Sequence, residues 1–321
     1  MANGALVLLI SGGTDNWSPQ RWRQQFVPRL PGRTVALIPE DAIDAASARY
    51  AAVWKPQPGA INAFPNLAVI FNLGAGVDAL MTDKTLPSVP LVRVAVDDLT
   101  RRMTEYVLMH VLIHHRQQRY LDQCQREKVW APRLQWGAQD LRVGIMGLGV
   151  LGCDAAEALR RLGFDVAGWS RTRKTMPQMQ CFAGTEELPA FLARTDILVC
   201  LLPLTPETRG ILNRTVFGQL ARDGVLGGPV IINAGRGGLQ IEADILAALD
   251  DGTLAAATLD VFEHEPLPAE SPLWSRPKVT ISPHNAADTD PEAISAYVVR
   301  QIERFERGLP LENVVDRRAG Y

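Results

Sequence analysis

From residue 141 onward the chain alternates short apolar runs with helix-spaced segments, and this alternation constrains the fold more than any other feature. "LRVGIMGLG" has the continuous apolar character of a strand buried on both faces, and "VLGCDAAEALRRLG" follows it with helical spacing and a closing Gly163. The strand "FDVAGWS", a helix over "EELPAFLART", the strand "ILVCLLP", a Pro/Thr-rich turn and a helical stretch ending near Leu220 come next. "PVIINAG", "AAATLDVF" and "KVTISPH" read as further strands, with the helix "EADILAALDDG" between the first two. Strands that alternate with helices in this way specify a doubly wound parallel sheet, because each parallel pair needs a crossover that covers a face.

Residues 1 to about 98 carry a second, shorter alternation, with strand candidates "ALVLLIS", "TVALIP", "YAAVWK", "LAVIFNLG" and "VPLVRVA". No Gly-x-Gly-x-x-Gly occurs there, which makes this half the candidate substrate domain. A long helical pattern from Thr100 to about Lys128 joins the halves, and the last helix, "PEAISAYVVRQIERFERG", is expected to pack back on the first domain. At 321 residues the chain exceeds one ordinary core. The expected fold is therefore α/β, with two Rossmann/flavodoxin-like domains, each on a mostly parallel sheet, and the active site in the interdomain cleft. Residues 1–98 with 289–321 would form the substrate domain, and 99–288 the dinucleotide-binding domain.

Composition narrows the function. A hydrophobic fraction of 47% with 21% charged residues is that of a soluble globular protein, and a formal net charge of -2 supplies no basic field for nucleic acid. Cys124, Cys153, Cys181 and Cys200 are spaced neither for a zinc site nor for a dense disulfide framework, and read as reduced, intracellular thiols. The apolar run in "MANGALVLLISGG" has no basic leader and is too short for a signal peptide or a membrane span, so a cytoplasmic protein without a membrane partner is expected.

"GLGVLG" lies directly between a predicted strand and a predicted helix. Gly147 permits the tight turn, Gly149 lets a pyrophosphate approach the backbone, Gly152 lets helix and strand pack closely, and Val150 and Leu151 open the helix whose N–H groups face the phosphates. In this architecture the residue ending the second strand selects the adenosine ribose: a carboxylate accepts from a 2′-hydroxyl, whereas cations accommodate a 2′-phosphate. Ser170 stands there, about 18 residues beyond Gly152, and Arg171 follows it. A hydroxyl donor and a guanidinium fork suit the phosphate, so the cofactor expected is NADP, with Arg173 and Lys174 as weaker contributors.

Arg236 follows "IINAG", Glu265 follows "LDVFEH" and His284 follows "TISP", so in a parallel sheet all three lie beyond carboxyl ends of strands. One cation, one carboxylate and one imidazole thus converge beside the nicotinamide, where hydride reduction of a carbonyl needs a proton for the developing alkoxide and a cation for its charge. Arg236 supplies the cation, and His284, steadied by Glu265, the proton. Trp54, in "VWKP", either walls a small substrate pocket or packs in the core. His110 and His114 lie four apart on a helix but lack a third ligand, so no metal site is expected and both read as interhelix or surface histidines. His264 sits in a turn between two glutamates, and His284 is preferred as the base.

With these residues in place, the sequence resembles the D-isomer-specific 2-hydroxyacid dehydrogenases over nearly the whole chain, through "GLGVLG", "LLPLTPET", "INAGRGG", "LDVFEHEPLP" and "SPHNAA". With "LGAGVD", "WSRTRK" and the terminal "RRAGY" it looks most like the NADPH-dependent glyoxylate/hydroxypyruvate reductase branch. The resemblance implies that Arg236 binds the substrate carboxylate and polarises its ketone, that His284 is the acid/base and that Glu265 is its partner. It implies that Gly74, Ala75 and Gly76 offer N–H groups to the carboxylate and that Asp260 contacts the nicotinamide amide. Pro203 and Thr208 would line the cofactor cleft, Ala234 would join the cofactor-binding residues, and the assembly would be a homodimer. Trp130 resembles a family tryptophan that reaches the partner subunit's active site. One departure is that Gln240-Ile241-Glu242 stand where the family commonly has Val-Asp-Glu. A relative acting on a bulkier keto acid, or a dinucleotide-sensing scaffold such as the C-terminal-binding proteins, is an alternative reading.

Overall fold

The computed structural model describes residues 4–12 and 17–318, so the last three residues of "RRAGY" lie outside the described residues. The chain divides into two compact units, Met1–Leu99 with Thr289–Tyr321, and Thr100–Asp288.

In the first unit the chain runs β1 (Ala5–Ile10), α1 (Pro19–Phe26), β2 (Val35–Ile38), β3 (Ala48–Trp54), β4 (Val69–Asn72), α2 (Asp78–Met81) and β5 (Leu91–Arg93). The sheet order is β2-β1-β3-β4-β5, and every pair is parallel. β1 and β4 are buried along their whole length, as strands covered on both faces must be. One covering layer brings Trp22 and Phe26 of α1 against Leu6 and Leu8 together with Ile294, Tyr297, Val298 and Ile302 from the C-terminal segment.

α3 (Asp97–His115) carries the chain into the second unit, and α4 (Gln118–Glu127) follows it. The sequence predicts one helix over this stretch; the structure breaks it at Gln117, which takes left-handed backbone angles (φ 53°) and ends the first run. Then come β6 (Arg142–Met146), α5 (Val150–Arg161), β7 (Asp165–Ser170), β8 (Gln180–Ala183), α6 (Gly184–Ala193), β9 (Ile197–Cys200) and α7 (Arg214–Gln219). β10 (Val230–Asn233), α8 (Glu242–Asp250), β11 (Ala256–Leu259) and β12 (Val279–Ile281) complete the unit, and α9 (Pro291–Glu306) returns to the first. β8 is one strand more than the sequence predicts; its four residues pair in parallel with β7. The order β12-β11-β10-β9-β6-β7-β8 makes a wholly parallel seven-stranded sheet.

Candidate active site

In the second sheet β6 and β9 are neighbours, with β7 and β8 on one side and β10 to β12 on the other. Such a reversal opens a crevice beyond the carboxyl ends of the two central strands. The glycine loop lies there. The Gly147 N–H donates to the Trp169 carbonyl at 2.8 Å, and its φ of 114° is one that side-chain-bearing residues rarely adopt. A Cβ on Gly147 would approach the Leu201 carbonyl to 2.8 Å, one on Gly152 would overlap the Gly147 carbonyl, and in front of Gly149 there is open space. α5 begins with no side-chain cap and no acidic residue in its first turn, and Val150 is exposed there while Leu151 is half-buried. An open, uncapped and acid-free helix start fits a pyrophosphate.

Ser170 ends β7 and is buried; its hydroxyl donates to the Thr172 carbonyl at 2.9 Å. Arg171 is exposed, and its charge helps the Thr205 hydroxyl hold the Glu207 carboxyl below the usual carboxylate range. Arg173 is ion-paired with Glu187 and donates to the Cys181 carbonyl at 2.8 Å, so this guanidinium braces its own loop. Lys174 is exposed. Pro203 and Thr208 meet after β9: the Thr208 hydroxyl donates to the Pro203 carbonyl at 2.7 Å and accepts from the Thr205 N–H at 2.8 Å.

The ends of β10, β11 and β12 carry the titratable groups. Ala234 is buried directly after β10, and Arg236 is half-buried two residues on. The turn between them is built on Asn233. Its Oδ1 accepts from the Gly235 N–H at 3.1 Å, and its Nδ2 donates to the Arg236 carbonyl at 3.1 Å and to Gln240 Oε1 at 2.8 Å. Gln240 Nε2 then donates to the Val261 carbonyl at 3.0 Å, which ties the arginine turn to the loop after β11. The departure from the common family pattern at residue 240 is thus a buried amide in a closed hydrogen-bond set.

On that loop Glu265 accepts from the Phe262 N–H at 3.2 Å and pairs with His284 Nδ1 at 2.7 Å. A carboxylate accepting from Nδ1–H fixes the tautomer and leaves Nε2 for proton exchange. His284 has a φ of 54°, a left-handed conformation that costs roughly 1–3 kcal/mol and persists only where the surroundings over-determine it. Asp260, just past β11, is 1% exposed, and burial pushes its carboxyl above the usual range.

In the first unit Trp54 ends β3, half-buried, with its ring 4.6 Å from that of Trp17. The stretch Gly74 to Gly76 follows β4, where Asn72 Nδ2 donates to the carbonyls of Gly74 at 2.7 Å and Gly76 at 2.8 Å. In a trans peptide the following N–H points away from its carbonyl, so the Ala75 amide is turned from Asn72. Trp54 and Gly74 touch: a Cβ on Gly74 would overlap the indole.

The paired histidines of α3 are not surface groups. Both are buried; His114 Nε2 lies 2.9 Å from the Thr258 hydroxyl, and burial, reinforced by Arg119, pushes His110 down to about 4 and His114 to about 3. Among the described residues no three His, Cys, Asp or Glu side chains gather as a metal would need. His264 is exposed in its turn, and Trp130 is 97% exposed. A pocket of about 270 Å³ is lined by Arg102, Glu105, Tyr106, Met109, Asn285, Ala286 and Asp288. Asn233 and Gln240, together with Tyr106 and Ser282, whose hydroxyls lie 2.8 Å apart with Ser282 donating to Asp260 at 2.7 Å, are not foreseen. Their amides and hydroxyls give no signal in the sequence, apart from the unusual glutamine.

A family model for the D-isomer-specific 2-hydroxyacid dehydrogenase NAD-binding domain matches residues 108–286. The glyoxylate/hydroxypyruvate reductase A of Escherichia fergusonii is 43% identical over 85% of this chain and 88% of its own, and that of Klebsiella pneumoniae strain 342 is 41% identical over 94% and 96%. A crystal structure of the NADPH-dependent glyoxylate/hydroxypyruvate reductase of Sinorhizobium meliloti with NADP and sulfate superposes with a TM-score of 0.94, at 46% identity over 99% of this chain and all of that one. A family member from Xanthobacter autotrophicus, solved with NADPH and MES, gives 0.92 at 43% identity over the whole of both chains. Fold, glycine loop, strand-end residues and relatives agree, and the chain belongs to the D-isomer-specific 2-hydroxyacid dehydrogenase family.

Proposed function

We propose that this protein is an NADPH-dependent reductase of small 2-keto acids, turning glyoxylate into glycolate and hydroxypyruvate into glycerate. The observation that carries the reading is the His284 Nδ1–Glu265 Oε2 pair at 2.7 Å, at the strand ends that also present Arg236. When bound, the cofactor supplies the hydride. Arg236 holds the substrate carboxylate with its planar fork and draws charge from the ketone. His284, oriented by Glu265 at its Nδ1, gives the Nε2 proton to the alkoxide as it forms. Ser170 and Arg171 meet a 2′-phosphate, with no carboxylate at the strand end to repel it. Gly74, Ala75, Gly76 and Trp54 belong to the substrate side of the proposal, and Gly147, Gly149, Val150, Leu151, Gly152, Pro203, Thr208, Ala234 and Asp260 to the cofactor side. A cytoplasmic homodimer completes it, in keeping with four free cysteines and a fully exposed Trp130. The test is a panel of 2-keto acids of increasing side-chain size assayed with NADPH and with NADH. Fastest turnover of glyoxylate and hydroxypyruvate with NADPH is expected. A preference for bulky acids would overturn the substrate assignment, and tight NADPH binding without turnover of any acid would identify a scaffold.

A further inference from the structure

The backbone of His284 is held by a chain of side chains that starts on a helix of the same unit. Asp260 accepts from the Ser282 hydroxyl at 2.7 Å and from the Asn285 N–H at 3.1 Å through Oδ1, and from the Ala286 N–H at 3.1 Å through Oδ2. Its own carbonyl accepts from the His284 N–H at 2.8 Å. Thus one residue fixes the amides of three consecutive residues, the first of them in the left-handed conformation. Behind Ser282 stands Tyr106 of α3, buried, with its hydroxyl 2.8 Å from the serine oxygen and its ring 4.3 Å from that of His110.

The direction of the chain follows from the inventory of protons. An ionised carboxylate can only accept, so Ser282 spends its one proton on Asp260; the phenol must then donate to Ser282. Burial holds the phenol protonated, which keeps that donor in place. Every link points toward the carboxylate, an arrangement in which each bond polarises the next.

We infer that Tyr106 and Ser282 are positioning residues, which hold Asp260 and through it the loop that aims His284 at Glu265. The inference rests on His284 being the proton carrier of the proposed reaction. Neither residue touches the reacting atoms. The titratable groups facing Asp260 are Tyr106 from α3 and His284 past β12; the other contacts are the Ser282 hydroxyl and the Asn285 and Ala286 amides. Ser282 is the foremost contact offsetting the effect of burial on the Asp260 carboxyl. Without it the carboxyl takes up its proton at higher pH, and the loop amides then face a neutral, weaker acceptor.

The test uses the full-length protein with Ser282→Ala, Ser282→Thr, Tyr106→Phe and, as a separate arm, His284→Gln. Losing a hydrogen bond to a charged group in Ser282→Ala should lower kcat by about 10- to 100-fold with KM changed less than about threefold. The acid-side decline of kcat should begin at higher pH, and Ser282→Thr should restore both. In the cofactor-free protein, amide exchange at Asn285 and Ala286 should quicken by about tenfold in Ser282→Ala and less in Tyr106→Phe. Unchanged exchange and an unmoved acid limb in Ser282→Ala would overturn the inference, as would an equal loss of activity at all pH values that Ser282→Thr fails to restore. Full activity in His284→Gln would instead overturn the reading of His284, while the exchange measurement would still decide whether Tyr106 and Ser282 brace the loop.

Discussion

Arg171 illustrates how much one side chain decides. It follows the strand end at which a carboxylate would exclude a 2′-phosphate, while its neighbour Arg173 is engaged by Glu187. Arg171→Ala should therefore weaken NADPH binding by about 1.5–3 kcal/mol and leave NADH much less affected, checked by titrating both cofactors; equal losses would remove Arg171 from the selecting role. The pair of His284 and Glu265 makes a second prediction. Ketone reduction uses imidazolium and alcohol oxidation uses neutral imidazole, so the two directions should follow opposite limbs of one titration. Reduction should fade as pH rises and oxidation should grow. Glu265→Gln, which removes the charge facing Nδ1, should lower kcat/KM in both directions by about 10- to 100-fold. Arg236, Glu265 and His284 are legible in the sequence because each follows an apolar run whose end the fold must expose. Asn233, Tyr106 and Ser282 are not, since an amide or a hydroxyl reads alike whether it faces solvent or a buried partner, and Gln240 is marked only by its departure from the family pattern.

Helices and strands are legible to the extent that their period is interrupted by recognisable residues. The glycines around α5 mark that helix, but "HHRQQRY" contains neither Gly nor Pro, so the break between α3 and α4 is invisible until Gln117 is seen in a left-handed conformation. β8 escapes for another reason: four residues on the edge of a sheet have no room to establish a pattern. α3 also predicts a pH response. His114 is buried against Thr258 with its ring held neutral to about pH 3, whereas an unfolded histidine titrates near pH 6.5. The unfolded chain therefore binds the extra proton first, so stability is full above about pH 6.5 and falls as pH drops toward 3. The loss should reach on the order of 5 kcal/mol at the acid end. His114→Gln should flatten the decline of Tm between pH 7 and 5, and a parallel decline in both proteins would show that His114 does not govern it.

At the scale of the whole molecule, two units with separate parallel sheets give each half its own core, and the relatives span both units. What neither core accounts for is the stretch after α4, where Val129, Trp130, Leu134 and Trp136 are exposed together. This stretch is not loose. The Tyr120 hydroxyl donates to the Ala131 carbonyl at 2.9 Å, Arg133 lies 3.4 Å from the Tyr120 ring centroid, and Gln117 Nε2 donates to the Leu134 carbonyl at 2.9 Å. A large apolar side chain held out in a fixed place suits the proposed homodimer. Sedimentation velocity should report a dimer, and Trp130→Asp should shift it toward monomer at micromolar concentration. A monomer in the unaltered protein would end that part of the proposal.

The contact between Trp54 and Gly74 imposes an order on future change. As long as the indole lies against the glycine, any side chain at 74 collides with it, so Gly74→Ala is harmful when it comes first. After Trp54 has been replaced by a smaller residue, the same alanine no longer meets that indole. The two positions are therefore epistatic, and a lineage or a laboratory selection that remodels this part of the molecule can pass through Trp54 but not through Gly74. The present pair is a ratchet: the glycine stays fixed for as long as the tryptophan is kept.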